Sequence, residues 1–344
     1  MAKQVLRGGL IGCGFFARNH LNAWKAIGEV ALAAVCDRDR AKADAAARDF
    51  GVPAAYDDAA AMLAGERLDF VDIVTTMPTH RPLVELAARH GVAAICQKPF
   101  APALDDCVAM VDACAAAGVP LMVHENFRFQ TPLLAVQEVV RGGRIGEIFF
   151  GRISWRNAYD VYKGQPYLAE EERFAILDLG VHVLDVARVL LGEIDLLSCV
   201  SNSVHPGIKG EDSFAILTRH ANGAAGFVDV SYASRQDPDP FPQTLVELDG
   251  TAGSIRLTAG YEMKIVDAAG TERRNVCPAV LPWATTPWHG PQESVLNTQR
   301  HFAACLLAGR DADTSGRDNL KTFAACEAAY ESAATGRAVV PAFR

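Results

Sequence analysis

Asp178 and His182 stand four residues apart inside ILDLGVHVLDVARVLLG, a segment otherwise filled with Ile, Leu and Val. On a helix that spacing puts a carboxylate and an imidazole on one face. An imidazole, with an ordinary pKa of about 6.5, can take the hydroxyl proton of an alcohol whose carbon is losing hydride. A neighbouring carboxylate can orient the ring or bind an adjacent substrate hydroxyl. Lys98, in CQKPF, is of a type that polarises the same oxygen. Gly180, between the pair, is expected to leave room for a ligand. By itself an Asp–His pair on a helix surface is worth roughly a few tenths of a kcal/mol and nothing more. The apolar segment around it and a glycine pattern upstream argue for more.

That pattern is GLIGCGFFARNH, which carries G-x-G-x-x-A as Gly12, Gly14 and Ala17 between a strand and a helix. In that setting it is the fingerprint of a dinucleotide site. Gly12 permits the tight turn, Gly14 lets the main chain approach a pyrophosphate, and Ala17 allows close helix–strand packing. The helix N-terminus attracts the phosphates. Phe15 and Phe16 complete the loop and belong with the cofactor-binding candidates. The next strand ends at Asp37, placed to accept hydrogen bonds from an adenosine ribose. A 2′-phosphate there would meet like charge, so NAD is favoured over NADP. Arg38 follows, a cation able to stack on adenine or pair with a phosphate. TTMPTH (75–80) and CQKPF (96–100) end later strands. Ligands of open parallel sheets lie outside such strand ends, which directs Thr75, Thr76, His80, Gln97 and Lys98 to the cofactor crevice. Pro99 keeps Lys98 out of the helical region.

Positioning these residues takes two kinds of architecture. Short apolar runs at 5–11, 30–37, 69–75, 92–96 and 119–125 alternate with helical segments. This predicts an α/β domain over residues 1–125, a doubly wound parallel sheet with helices on both faces. The texture changes after Glu125. A helix near 132–141, a long strand over 147–159 and the Asp178–His182 helix precede strands at 196–204, 212–219, 225–233, 244–249, 253–258 and 262–267. In GFVDVSY apolar and polar residues oppose each other, as in a sheet with one face on helices and one face open. Residues 126–344 are therefore expected to form an α+β domain with a mainly antiparallel, open-faced sheet, closed by helices at 292–308 and 317–335. The aromatic, proline-rich loop CPAVLPWATTPWHGPQ is long enough to cover a site.

Composition narrows the function classes. Half of the 344 residues are hydrophobic, so there is apolar material for two cores. The net charge of -8, with no basic cluster, speaks against nucleic acid and anionic membranes as partners. No uncharged apolar run reaches 18 residues. The nine cysteines, odd in number and without C-x-x-C, read as reduced core hydrophobes of a cytoplasmic protein. LIGC after Lys3 and Arg7 imitates a lipoprotein cleavage site, but the apolar run before it is too short.

GCGFFARNH, TTMPTH, QKP and DLGVH together resemble the Gfo/Idh/MocA oxidoreductases, from about residue 5 to residue 335. The resemblance implies a Rossmann domain, a second domain whose sheet makes a homodimer or homotetramer, and a small sugar or polyol as substrate. It implies His182 as acid/base, Lys98 as positioner of hydroxyl and nicotinamide, and Asp178 as substrate contact. These three are expected to converge over the reactive ring of the bound dinucleotide. The departure is Gln97, where the family has glutamate: glutamine keeps the hydrogen bonding and removes a negative charge beside Lys98. Glu125, Asn126, Arg128, Arg156 and Asn157 are further candidates for substrate hydroxyls, with Trp283, Trp288 and His289 in the aromatic loop.

The expected reaction is oxidation of an aldose at its anomeric carbon to a lactone. An inositol or polyol dehydrogenase making a ketone is the alternative, and a non-catalytic NAD-binding regulator a second. A short-chain dehydrogenase reading of Tyr159 and Lys163 fails because Gly164 and Pro166 end any helix there. A zinc site from Asp178, Asp185, His182, His205 and His289 lacks metal-ligand spacing, and no metal is expected.

Overall fold

The computed structural model describes residues 5–342, and the chain divides into two compact units. The first runs to Glu125 and also takes in Val295–Leu320; the second comprises Asn126–Ser294 and the chain from Lys321. The return of 295–320 to the first unit departs from the simple boundary at 125. Its cause is aromatic packing and hydrogen bonding: the ring of Phe302 lies 5.5 Å from that of Phe70 and 6.4 Å from that of Trp24. The Thr314 hydroxyl donates to the Val123 carbonyl at 2.8 Å.

In the first unit the order is β1 (Leu6–Ile11), α1 (Ala17–Lys25), β2 (Val30–Cys36), α2 (Arg40–Phe50), β3 (Ala54–Tyr56), α3 (Ala59–Gly65), β4 (Phe70–Ile73), α4 (His80–Arg89), β5 (Ala93–Gln97), α5 (Leu104–Ala117) and β6 (Leu121–His124). The strands pair in parallel in the order β3-β2-β1-β4-β5-β6. The order reverses between β1 and β4, which opens a ligand crevice at their carboxyl ends. Strands β4, β5 and β6 are buried along their whole length, which is why they read as unbroken apolar runs. Asp72 within β4, Gln97 at the end of β5 and His124 at the end of β6 are the exceptions.

The second unit contains α6 (Thr131–Arg141), β7 (Ile148–Arg156), α7 (Val161–Gly164), a π-helical turn at Ile176–Gly180, α8 (Val181–Leu191), β8 (Ile194–Asn202), β9 (Ser213–His220), β10 (Ala225–Ser231), β11 (Leu245–Gly250), β12 (Gly253–Thr258), β13 (Glu262–Asp267) and β14 (Gly270–Asn275). The last two helices, α9 (His289–Ala308) and α10 (Gly316–Thr335), supply residues to both units. The sheet order is β14-β13-β12-β11-β7-β10-β9-β8. All its pairings are antiparallel except β7 with β10, which is parallel, so the sheet is mixed. Registered positions share a face. One row, Cys199, Ile216, Val228, Ile153, Val246, Leu257 and Met263, is buried across seven strands. The row beside it, from Ser198 through Leu217, Phe227, Arg152 and Glu247 to Arg256, lies on the open face.

All nine cysteines are free, and Cys277 alone among them is exposed. Burial and the Asp37 carboxylate push the Cys13 thiol up to about 12. Burial, with Asp58 and Asp37 nearby, pushes that of Cys36 up to about 11. No helix of the described residues is long and apolar enough to cross a membrane. Lys3 lies outside the described residues.

Candidate active site

The glycine loop is held from both sides. Gly12 has a φ of +98°, and a Cβ on it would sit 2.4 Å from the Val74 carbonyl oxygen, so glycine is required there. Its N–H donates to the Cys36 carbonyl at 2.7 Å. Asp37 ties the loop to the end of β2: its Oδ2 accepts from the Cys13 N–H at 2.8 Å and its Oδ1 from the Asp39 N–H at 2.9 Å. Helix α1 has no side-chain cap and no acidic residue in its first turn. Nothing of its own side chains competes with an anion at that terminus. Beside it, nothing lies within 4 Å of where a Gly14 Cβ would be. Open space, a helix terminus and a partly solvated carboxylate fit a dinucleotide. Ala17 is buried beneath the loop, Phe15 is 93% exposed above it, and Arg38 is exposed beside Asp37.

At the later strand ends, the Thr79 hydroxyl lies 2.8 Å from Thr75 Oγ1 and 2.7 Å from the Thr76 carbonyl oxygen. His80 is fully buried. Its Nδ1 lies 3.1 Å from the carbonyl oxygens of Pro99 and Phe100, and its Nε2 3.1 Å from that of Thr75. Burial pushes its imidazole below the ordinary value. The ring is thus engaged with the main chain of both loops and braces them. Gln97 closes β5, and its amide Oε1 accepts from the Lys98 N–H at 2.8 Å.

Asp178 and His182 stand on an irregular segment, not on one continuous α-helix. Asp178 lies in the π turn and regular α-helix begins only at Val181. Such turns are rare and cluster at functional sites. Its entry is held by Glu211, whose carboxylate accepts from the Ile176 N–H at 2.8 Å and from the Tyr330 hydroxyl at 2.8 Å. The Asp178 Oδ2 accepts a 2.6 Å hydrogen bond from the Tyr232 hydroxyl. Burial, then the negative charge of Asp178, hold that phenol well above its ordinary value, so it stays a donor. His182 is 2% exposed and its ring lies flat on Phe127, with centroids 3.8 Å apart and planes 3° from parallel. Gly180 does not open space for a ligand: a Cβ on it would stand 3.3 Å from the Phe214 ring.

The further substrate candidates divide. Arg128 is buried in an ion pair with Asp185, its Nε 2.6 Å from Oδ2 and its Nη2 on Oδ1. Asp185 thus holds that guanidinium within the structure. Arg156 donates to Asp229 at 3.2 Å and to the Ser234 hydroxyl at 2.8 Å. Asn157 is fully buried, with its Oδ1 accepting from the Tyr159 N–H at 2.9 Å. Glu125 is fully buried, and Asn126 donates to the Ser294 hydroxyl at 2.7 Å. Trp288 of the aromatic loop packs edge-on against Phe241 and Tyr159. The zinc alternative does not assemble. His205 pairs with Asp212 and His289 lies beside Cys277. Among the described residues no three His, Cys, Asp or Glu side chains are grouped to hold a metal ion.

Residues 6–125 match the model of an oxidoreductase family with an NAD-binding Rossmann fold, and residues 133–256 match the GFO/IDH/MocA C-terminal domain. The chain is 53% identical over 339 residues to a D-apiose dehydrogenase of Rhizobium rhizogenes, covering 98% of each protein. It is 55% identical over 333 residues to a D-apiose dehydrogenase of Paraburkholderia graminis, covering 97% of this chain and 89% of that one. A crystal structure of an oxidoreductase from Agrobacterium radiobacter in complex with NAD+, L-tartaric acid and magnesium superposes with a TM-score of 0.95. It is 53% identical and is matched over 97% of this chain and 98% of that one.

Proposed function

The chain belongs to the Gfo/Idh/MocA oxidoreductase family, and from that premise we propose that it is an NAD-dependent sugar dehydrogenase that oxidises D-apiose, or a closely similar aldopentose, at the anomeric carbon to its lactone. One observation carries the choice of sugar: similarity to two D-apiose dehydrogenases at 53% and 55% identity over almost the whole chain.

In this reading Asp37 receives the adenosine ribose and, through its charge, disfavours a 2′-phosphate. NAD, when bound, accepts the hydride. Lys98 and His182 act on one substrate hydroxyl: the ammonium polarises the oxygen, and the imidazole takes the proton as the C1–H bond breaks. A hemiacetal hydroxyl is easily deprotonated, and the lactone leaves without help from a metal. Asp178, steadied by Tyr232, holds a neighbouring sugar hydroxyl.

The test is a panel of aldoses, polyols and inositols with NAD+ and NADP+, followed at 340 nm, with product identification. D-apiose with NAD+ is expected to give the highest kcat/KM and a lactone or its hydrolysed acid. A ketone from an inositol as the best reaction would move the assignment to a polyol dehydrogenase. NADH binding by fluorescence with no turnover of any sugar would leave a regulator.

A further inference from the structure

Three buried side chains that the proposed reaction does not use form a directed chain of hydrogen bonds behind Lys98, and a fourth, Gln299, donates into its end. Gln97 is 9% exposed; His20, Asp72 and Gln299 are fully buried. The chain reads in one direction. The Lys98 N–H can only donate, so the Gln97 amide oxygen faces it, at 2.8 Å. The Gln97 amide nitrogen then faces His20 Nε2, at 3.0 Å, and that ring nitrogen must accept. The ring proton therefore sits on Nδ1, which donates to Asp72 Oδ2 at 2.7 Å. The same oxygen accepts from the Trp24 indole N–H at 2.6 Å and from Gln299 at 3.2 Å. Around the His20 ring stand Phe16, edge-on at 5.4 Å, and His124, tilted at 4.4 Å.

We propose that Asp72, His20 and Gln97 form a positioning relay: the carboxylate fixes the imidazole tautomer, the imidazole fixes the amide, and the amide fixes the peptide from which Lys98 extends toward the reacting hydroxyl. The proposal rests on the reading of Lys98 given above. It assigns a reason for glutamine at 97. A carboxylate there would only accept, and His20 would need a second proton to meet it. With glutamine the relay runs on a neutral imidazole. These are positioning residues that act through Lys98.

The first test reads the tautomer in the full-length protein. With 15N-labelled histidine, and His20→Gln used to assign the signal, His20 is expected as a neutral ring protonated at Nδ1. In Gln97→Glu it is expected as an imidazolium. A wild-type His20 protonated at Nε2, or at both nitrogens, would overturn the relay. The second test is kinetic. Gln97→Leu is expected to lower kcat about 10- to 100-fold through misplacement of the lysine. Gln97→Glu keeps an oxygen that can accept from the Lys98 N–H and is expected to recover part of the kcat lost in Gln97→Leu. Wild-type kcat in a folded Gln97→Leu would overturn the proposal while Lys98→Met is inactive. Wild-type kcat in Lys98→Met would instead remove the reading on which it rests.

Discussion

Lys98 in the first unit and His182 in the second are fixed by different forces. The Lys98 peptide is gripped by an amide that is itself gripped by an imidazole on a carboxylate. His182 lies flat against Phe127 on a helix whose π turn is set by main-chain bonds to Glu211. Polar wiring fixes direction, because each donor has one acceptor, and it is sensitive to charge. A ring stack fixes a plane and leaves rotation within that plane free. The lysine has a long flexible stem and needs direction from its backbone. The imidazole is already rigid and needs only its plane.

The largest expected effect is at His182, the proposed acid/base. His182→Ala should lower kcat by about 10²–10⁴, the usual contribution of a general acid/base, while NADH titration by fluorescence stays as in the wild type. Loss of cofactor binding with kcat retained would place His182 on the cofactor side of the comparison. A smaller effect is expected one layer out. Phe127→Leu keeps apolar volume but removes the flat ring, and should lower kcat about tenfold, with NADH titration as in the wild type. Unchanged kcat would show that the ring does not set the plane.

The smallest effect concerns the far end of α8, where the apolar description stops holding. Arg188 donates to Glu193 at 2.9 Å, and Lys321 donates to it at 2.8 Å. Burial pulls the Glu193 carboxyl upward, but these bonds outweigh it and hold the group at about 2, against an ordinary 4.5. A lowered folded-state value stabilises the fold above the ordinary value, and that contribution fades as pH falls toward the folded one. The Tm difference between wild type and Glu193→Gln should stay constant from neutral pH to about 5, then shrink toward pH 2. A difference that persists to pH 2 would mean that the carboxylate charge is not what Arg188 and Lys321 use.

Much of the first unit was legible because its signals are local. The glycine loop follows a strand directly, and the buried strands are unbroken apolar runs. Asp37 stands where the second of them ends. Strand β3 was not legible: Ala54–Tyr56 is three residues without alternation, and it exists because β2 offers an edge. Strand β14, GTERRN, is polar throughout and pairs only with β13. The π turn is a matter of hydrogen-bond register, to which residue type is nearly blind, so the i, i+4 spacing suggested a plain helix. The Arg128–Asp185 ion pair was not legible, because in sequence a buried guanidinium looks like one waiting for a substrate. The His20–Asp72–Gln97 relay spans 77 residues, yet one signal was available. A lone aspartate inside FVDIV must find donors when the strand is buried on both faces, and His20 and Trp24 occupy one side of α1 at i, i+4.

The return of Val295–Leu320 to the first unit bears on how this protein can be taken apart. A fragment ending at Glu125 would carry every strand of the nucleotide-binding sheet, but it would lack the lid over Trp24 and Phe70 and one of the donors on Asp72. The half of the molecule most easily recognised as a module is therefore stitched shut by its own distant downstream sequence. Grafting it onto another enzyme means carrying both pieces of chain.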